Sequence, residues 1–320
     1  MLLNAYYFQH HTFSIVPRHV REDMEFMADL GTNAITLAVL EQDLYANKAN
    51  MDIICREAER VGIAVHAVPS RWGGLLAGAP KVPSLFTATH PETWILKEDG
   101  SPLYNDICGP TSSVHHPATL EFYYKSLASM LSQWPIKGIV LDEPKVLDVY
   151  DYSPKAQQAI PPNSGLEAYT DAAAAFYDRV GAFARQCKPG LVVSMFLQAF
   201  TKGYTLERCA RIGSLDYFGC DGRPWRPEDV GPAKGRGKEL VNQAERFLDA
   251  AKRNGKGGLI LVENITMTPV SYPVMDRHLP TVLGYGAEHL LYYYYGMNVE
   301  EPDGAMAIVA KHLKTLKSRV

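Results

Sequence analysis

The sequence predicts an α/β fold, a (β/α)₈ TIM barrel, and three observations carry that expectation. Eight short apolar runs alternate with amphipathic segments along the 320 residues, the rhythm of eight βα units. The runs are apolar almost without interruption, as strands of a parallel sheet are when both faces are covered. No GxGxxG follows the first run and no GxxxxGK[ST] occurs, so the nucleotide-binding forms of a doubly wound sheet, the structural runner-up, lose support.

In chain order the strands are expected at Asn4 to Phe8, Ala34 to Val39, Ala64 to Val68, Gly138 to Leu141, Val192 to Phe196, Tyr217 to Gly219, Leu259 to Val262 and Leu290 to Tyr294. Between them apolar residues recur at three- and four-residue spacing, which places helices on Val20 to Leu30, Met51 to Val61, Leu120 to Trp134, Tyr169 to Phe183, Leu240 to Ala251 and Met306 to Leu316. Shorter helical segments are expected over 205–213 and 274–286. Gly31, Gly62, Gly190 and Gly255 stand where helices should end. The connection from Ser70 to Pro117 is too long for an ordinary βα loop and reads as a wall or lid, with a small hairpin over Trp94 to Leu103 turning at Asp99-Gly100. The proline-rich stretch Pro144 to Ser164 reads as a second stiff wall. No linker divides the chain, so residues 1–320 are expected to form one barrel domain.

Composition narrows the function. With 47% apolar and 21% charged residues the chain is globular, and 32 basic against 35 acidic residues leave a net charge of −3, which gives no footprint for nucleic acid. No apolar run approaches the length of a membrane span, and no targeting segment is visible, so the expected location is the cytoplasm. The five cysteines are scattered and never at CxxC spacing, which suggests neither a disulfide framework nor a zinc site. No HxH or HExxH motif is present, and neither metal nor cofactor is expected. Oligomeric state is not legible.

Chemistry in such a barrel collects where the strands end. There the sequence puts His10 and His11, Glu41, Arg71 and Trp72, Asp142 and Glu143, Gln198, Asp221, Arg223 and Trp225, Glu263 and Asn264, and Tyr295. The stretch Gly138-Ile139-Val140-Leu141-Asp142-Glu143-Pro144 is the sharpest of these, because two adjacent carboxyl groups follow a buried strand and a buried carboxylate costs several kcal/mol unless paired or protonated. Glu143 and Glu263, after the fourth and seventh strands, would face one pocket, the arrangement glycoside hydrolysis needs; the competing reading pins each to Arg71 or Arg223. Trp72, Trp225 and the run Tyr292 to Tyr295, half of which alternation sends toward the helices so that Tyr293 or Tyr295 remains, are candidates to stack on sugar rings, and His10 or His11 to bond a sugar hydroxyl.

The ending Asp142-Glu143-Pro144 resembles the Asn-Glu-Pro ending of the clan A (β/α)₈ glycoside hydrolases. That resemblance implies Glu143 as acid/base and Glu263 as nucleophile of a retaining reaction. The segment Trp94 to Lys145 is similar to poorly characterised glycosyl hydrolase families of the same fold. Asp142 departs from the pattern, since the family's asparagine there bonds the sugar 2-hydroxyl. The expected protein is thus a cofactor-free glycosidase acting on an oligosaccharide or glycoconjugate, with Asp142, His10, His11, Arg71, Trp72, Gln198, Asp221, Trp225, Asn264 and Tyr295 binding substrate. A metal-dependent sugar isomerase or epimerase and a non-catalytic carbohydrate-binding barrel are the alternatives.

Overall fold

A computed structural model describes residues 1–7, 15–78, 80–226, 229 and 238–317. Eight parallel strands close into a barrel: β1 (Leu2–Tyr7), β2 (Ala34–Val39), β3 (Ala64–Pro69), β4 (Ile136–Asp142), β5 (Val192–Gln198), β6 (Tyr217–Gly222), β7 (Gly257–Val262) and β8 (His289–Tyr293). Each pairs with its neighbours in sequence, and β8 returns to β1 with Asn4 opposite Leu291. The helices are α1 (Pro17–Asp29), α2 (Lys48–Arg60), α3 (Leu85–Thr89), α4 (Pro117–Gln133), α5 (Pro154–Ala159), α6 (Leu166–Cys187), α7 (Gly203–Ala210), α8 (Ala244–Arg253), α9 (Tyr272–Leu283) and α10 (Pro302–Lys317). The expected fold is the observed one. Gly31, Gly62, Gly190 and Gly255 all have positive φ at helix ends.

Two differences have local causes. Strand β6 runs on to Gly222, three residues past its expected end, because Asp221 and Gly222 pair in register with Leu261 and Val262. Helix α8 starts at Ala244 rather than Leu240, because Leu240 N–H donates to Arg223 O and ties that segment to the end of β6 instead.

Alternation along each strand splits the core in two. Outward side chains pack under the helices, while Tyr6, Ala38, Val68, Val140, Phe196, Leu261, Leu291 and Tyr293 fill the barrel interior. Below that apolar plug lies a polar layer around His289, whose ring meets Asn4 Nδ2 at 3.1 Å, Ser194 Oγ at 3.3 Å and the edge of His66. Gly138 makes room for it, since a Cβ there would stand 2.9 Å from the His66 ring.

The Ser70–Pro117 connection is a built wall. Glu41, buried at the end of β2, accepts from Gly73 N–H, Ser84 Oγ and Phe86 N–H at 3.0, 2.6 and 2.7 Å. The expected hairpin is present, with Lys97 N–H bonded to Ser101 O, Leu103 N–H to Ile95 O, and Asp99 capping the turn. A two-residue ladder of Tyr104–Asn105 with Gly109–Pro110 follows it.

Burial pushes the His66 imidazole down to about 4. Its folded pKa thus lies below the unfolded value of about 6.5, so its contribution is fully present above that pH and is lost as pH falls toward 4. That amounts to roughly 3 kcal/mol by pH 4, at about 1.4 kcal/mol per unit. Urea unfolding at fixed pH values should show stability falling across this window, and His66→Leu should remove about one proton from the slope; an unchanged slope in the variant would contradict the assignment.

Candidate active site

The C-terminal ends of the strands open into a cleft of about 450 Å³. Its floor is carboxylic. Asp142 and Glu143 come from the end of β4, Asp221 from β6 and Glu263 from the residue after β7. Glu143 sits at φ 38°, a left-handed backbone that a non-glycine residue adopts at a cost, and its N–H is bonded to Phe196 O on β5. Proline at 144 then stops the strand, and Lys145 N–H bonds Leu75 O, stitching this turn to the β3 loop.

One cation holds the floor together. Lys238 Nζ lies 2.7 Å from Glu143 Oε1, 3.1 Å from Glu263 Oε1 and 3.4 Å from Asp221 Oδ2. Oxygens of these three carboxyl groups lie within 4.8 Å of one another, a spacing a divalent cation would accept, and the lysine ammonium bonds to all three. The Lys238 backbone is fixed independently of its side chain: Arg223 N–H donates to Lys238 O, and Gly222 permits the approach, since a Cβ there would stand 2.2 Å from that oxygen. Lys145 Nζ and Gln198 Nε2 bond the second oxygen of Glu143, and Arg223 Nε lies 3.2 Å from Glu263 Oε2.

The electrostatics divide the four acids. Burial would raise Glu143, but a hydrogen bond from Asp221 and the ammonium groups of Lys145 and Lys238 outweigh it and hold the carboxyl well below the usual range. Asp221 is driven the other way, first by burial and then by the Glu143 and Glu263 charges, so it keeps a proton and donates it to Glu143. Asp142 is pushed up to about 6 by burial and the Glu143 charge, against a hydrogen bond from Tyr6 Oη. Burial works against the Lys238 charge, yet its three carboxyl neighbours hold the ammonium above the ordinary lysine range. The Tyr6 ring stacks on Tyr293 at 5.1 Å, closing the floor beneath Asp142.

The structure brings Glu143, Glu263, Asp142, Asp221, Gln198 and Arg71 together in this cleft. Four other expected contacts belong elsewhere. Trp72 is fully buried, its Nε1 donating to Val39 O and its ring packed on Phe122 and Tyr123, so it is core and no sugar platform. Trp225 is buried in the outer core under the Arg223 guanidinium. Asn264 is buried and spends its amide on both backbone groups of Tyr293. Tyr295 is exposed, bonds Asp303, and does not line the cleft. His10 and His11 lie outside the described residues.

Of the tyrosine run expected to offer sugar platforms, Tyr293 does line the cleft, whereas sequence reasoning missed Lys238, Lys145, Lys81 and Tyr6 as cleft-floor or cleft-wall residues. Tyr6 carried a usable signal, since alternation turns it inward near a strand end as it does Tyr293. Lys238 carried none, standing in a connection sixteen residues beyond β6.

No protein-family model matches the chain, and no curated protein matches it. Solved structures resemble it. The β-galactosidase from the psychrophilic Marinomonas ef1 superposes with a TM-score of 0.71 at 12% identity, over 100% of this chain and 60% of that one. The catalytic domain of β-amylase from Paenibacillus polymyxa gives 0.66 at 12% identity, covering 98% of both chains. The endo-β-1,4-mannanase from Thermotoga petrophila gives 0.53 at 10% identity, over 98% of this chain and 77% of that one. At such identities the likeness is one of fold, and this chain spans 60% of the length of the Marinomonas protein.

Trp72→Phe should lower unfolding free energy by about 1–3 kcal/mol, because a buried hydrogen bond to Val39 O is lost and the smaller ring leaves a gap in the core, while ligand affinity in the cleft stays unchanged. Denaturant unfolding and a binding titration read the two effects separately, and weakened binding at full stability would return Trp72 to the site.

Proposed function

We propose that the chain is a retaining glycoside hydrolase, with Glu143 as acid/base and Glu263 as nucleophile. The observation that carries this reading is the pair itself: carboxylates after the fourth and seventh barrel strands, with oxygens within 4.8 Å, across a polar cleft. Retention calls for carboxyl groups about 5–5.5 Å apart, whereas inversion needs about 6.5–9.5 Å to admit water. The neighbours in fold support the reading, since those compared are a β-galactosidase, a β-amylase and a mannanase by name.

In this reading the anomeric carbon takes the place of the Lys238 ammonium. Rotation of the lysine side chain suffices, because its backbone is latched separately to Arg223. Without that cation Glu143 becomes a stronger base and accepts the proton Asp221 shares with it. Glu143 passes the proton to the leaving oxygen as Glu263 attacks the anomeric carbon, breaking the glycosidic bond and forming a glycosyl ester. Glu143 then takes a proton from water, whose oxygen attacks the anomeric carbon, breaks its bond to Glu263 and frees that carboxylate. Asp142, pushed up to about 6 and so mostly ionised at neutral pH, accepts a hydrogen bond from the 2-hydroxyl where an asparagine amide could also donate one.

On an aryl glycoside that the protein cleaves, Glu143→Gln and Glu263→Gln should each lower kcat by roughly 10²–10⁴-fold or more. Product anomers followed by NMR should show retention; full activity in both variants would sink the assignment. Lys238→Met should move the alkaline limb of the kcat/KM profile to higher pH, because removing a cation raises the acid's pKa. A chelator should leave the rate unchanged, whereas loss restored by a divalent ion would favour the isomerase reading.

A further inference from the structure

The charges of the cleft do not balance, and the imbalance has a side. Among the described residues, Arg71, Lys81, Lys145, Arg223 and Lys238 line it against Asp142, Glu143, Asp221 and Glu263. Five cationic groups therefore face four carboxyl groups, one of which, Asp221, keeps its proton. Lys145 and Lys238 are matched to Glu143, and Arg223 to Glu263. Arg71 and Lys81 pair with no carboxylate among the described residues; the Arg71 charge acts on Asp142 from beyond ion-pair distance, and with Asp142 ionised five cations still face three anions. Arg71 and Lys81 both come from the loop after β3, so the surplus stands on one wall.

That wall is held in place. Arg71 has a left-handed backbone, φ 61°, and its Nε and Nη2 donate to Pro80 O at 3.2 Å and Gly78 O at 3.0 Å, while Nη1 has no hydrogen-bond partner among the described residues. Arg71 N–H bonds Ala77 O, and Ala77 N–H bonds Asp142 O, which registers the loop against the end of β4. Neither Arg71 nor Lys81 forms an ion pair among the described residues, in a chain whose net charge is −3. A neutral sugar offers nothing to neutralise such a wall, whereas an oxyanion is met there by charge-assisted bonds in a cleft that focuses the field.

We infer that the sugar ring seated on the Glu143–Glu263 pair carries an anionic substituent, a carboxylate, sulfate or phosphate, held by the wall of Arg71 and Lys81. This rests on the hydrolase reading for the position of the ring, and it names the substrate class. Lys145, beside Glu143 and 34% exposed, completes the anion's surroundings.

The test is a panel of aryl glycosides in which each neutral hexoside is matched with its uronide, 6-sulfate and 6-phosphate, assayed at low and high salt with wild type and Lys81→Gln. Lys81 is exposed, so the variant should fold. One anionic series should exceed its neutral partner in kcat/KM by about tenfold or more, and the preference should shrink severalfold in Lys81→Gln and at high salt. The favoured series identifies the anion. Calorimetric titration of wild type with free uronic acids, hexose 6-sulfates, hexose 6-phosphates and neutral hexoses supplies a readout without turnover. Neutral glycosides cleaved as well as every anionic partner overturn the inference. If no glycoside is cleaved but anionic sugars bind more tightly than neutral ones, the hydrolase reading fails and the anion site stands. If anionic sugars bind no more tightly either, both fall.

Discussion

The ammonium of Lys238 shared among Glu143, Asp221 and Glu263 is the interaction on which the rest of the site depends. Three carboxyl groups brought together at the ends of β4, β6 and β7 repel one another, and burial adds several kcal/mol to the cost of each charge. Two devices offset this: cations neutralise, Lys238 shared among all three with Lys145 on Glu143 and Arg223 on Glu263, and Asp221 retains a proton. The proton stays on Asp221 because burial penalises its charge and the Glu143 and Glu263 carboxylates repel it, while Lys145 and Arg223 pair with those two neighbours rather than with Asp221. The same arrangement leaves a proton stored beside Glu143 and a cation-shaped space between Glu143 and Glu263, which is where positive charge develops when a glycosidic bond breaks.

The barrel supplies what these groups cannot supply themselves, which is fixed position. Glu143 occupies an unfavourable backbone conformation that hydrogen bonds from the β4 turn to β5 and to the β3 loop hold in place. Gly222 lets the Lys238 backbone approach the end of β6, so a residue with no neighbour in sequence among the acids reaches all of them. Below, the Tyr6–Tyr293 stack and the apolar interior keep water from undermining the buried carboxyl groups.

Much of this was legible in the sequence because it depends on periodicity. Near-continuous apolar runs marked all eight strands, and the barrel topology then carried Glu143 and Glu263 to one face without any knowledge of loops. The losses have physical reasons. Trp72 and Asn264 stand at strand ends where a polar or aromatic residue serves equally to line a cleft or to anchor the backbone, and one-dimensional position does not distinguish Trp72 bonding Val39 O from Trp72 facing solvent. Lys238 was invisible because its role arises from its backbone pairing with Arg223 at the end of β6, far away in sequence, and Arg71 and Lys81, without ion pairs among the described residues, acquire meaning only once their neighbours' charges are counted.

The central claim, that Glu263 attacks while Glu143 serves as acid/base, is tested most directly by trapping the intermediate. A 2-deoxy-2-fluoro glycoside with a good leaving group, of the sugar configuration the protein cleaves, slows hydrolysis of the glycosyl ester and allows the labelled peptide to be mapped by mass spectrometry. The account predicts a single adduct on Glu263. An adduct on Glu143 or Asp221, or an active protein that releases inverted product and accumulates no adduct, would contradict it.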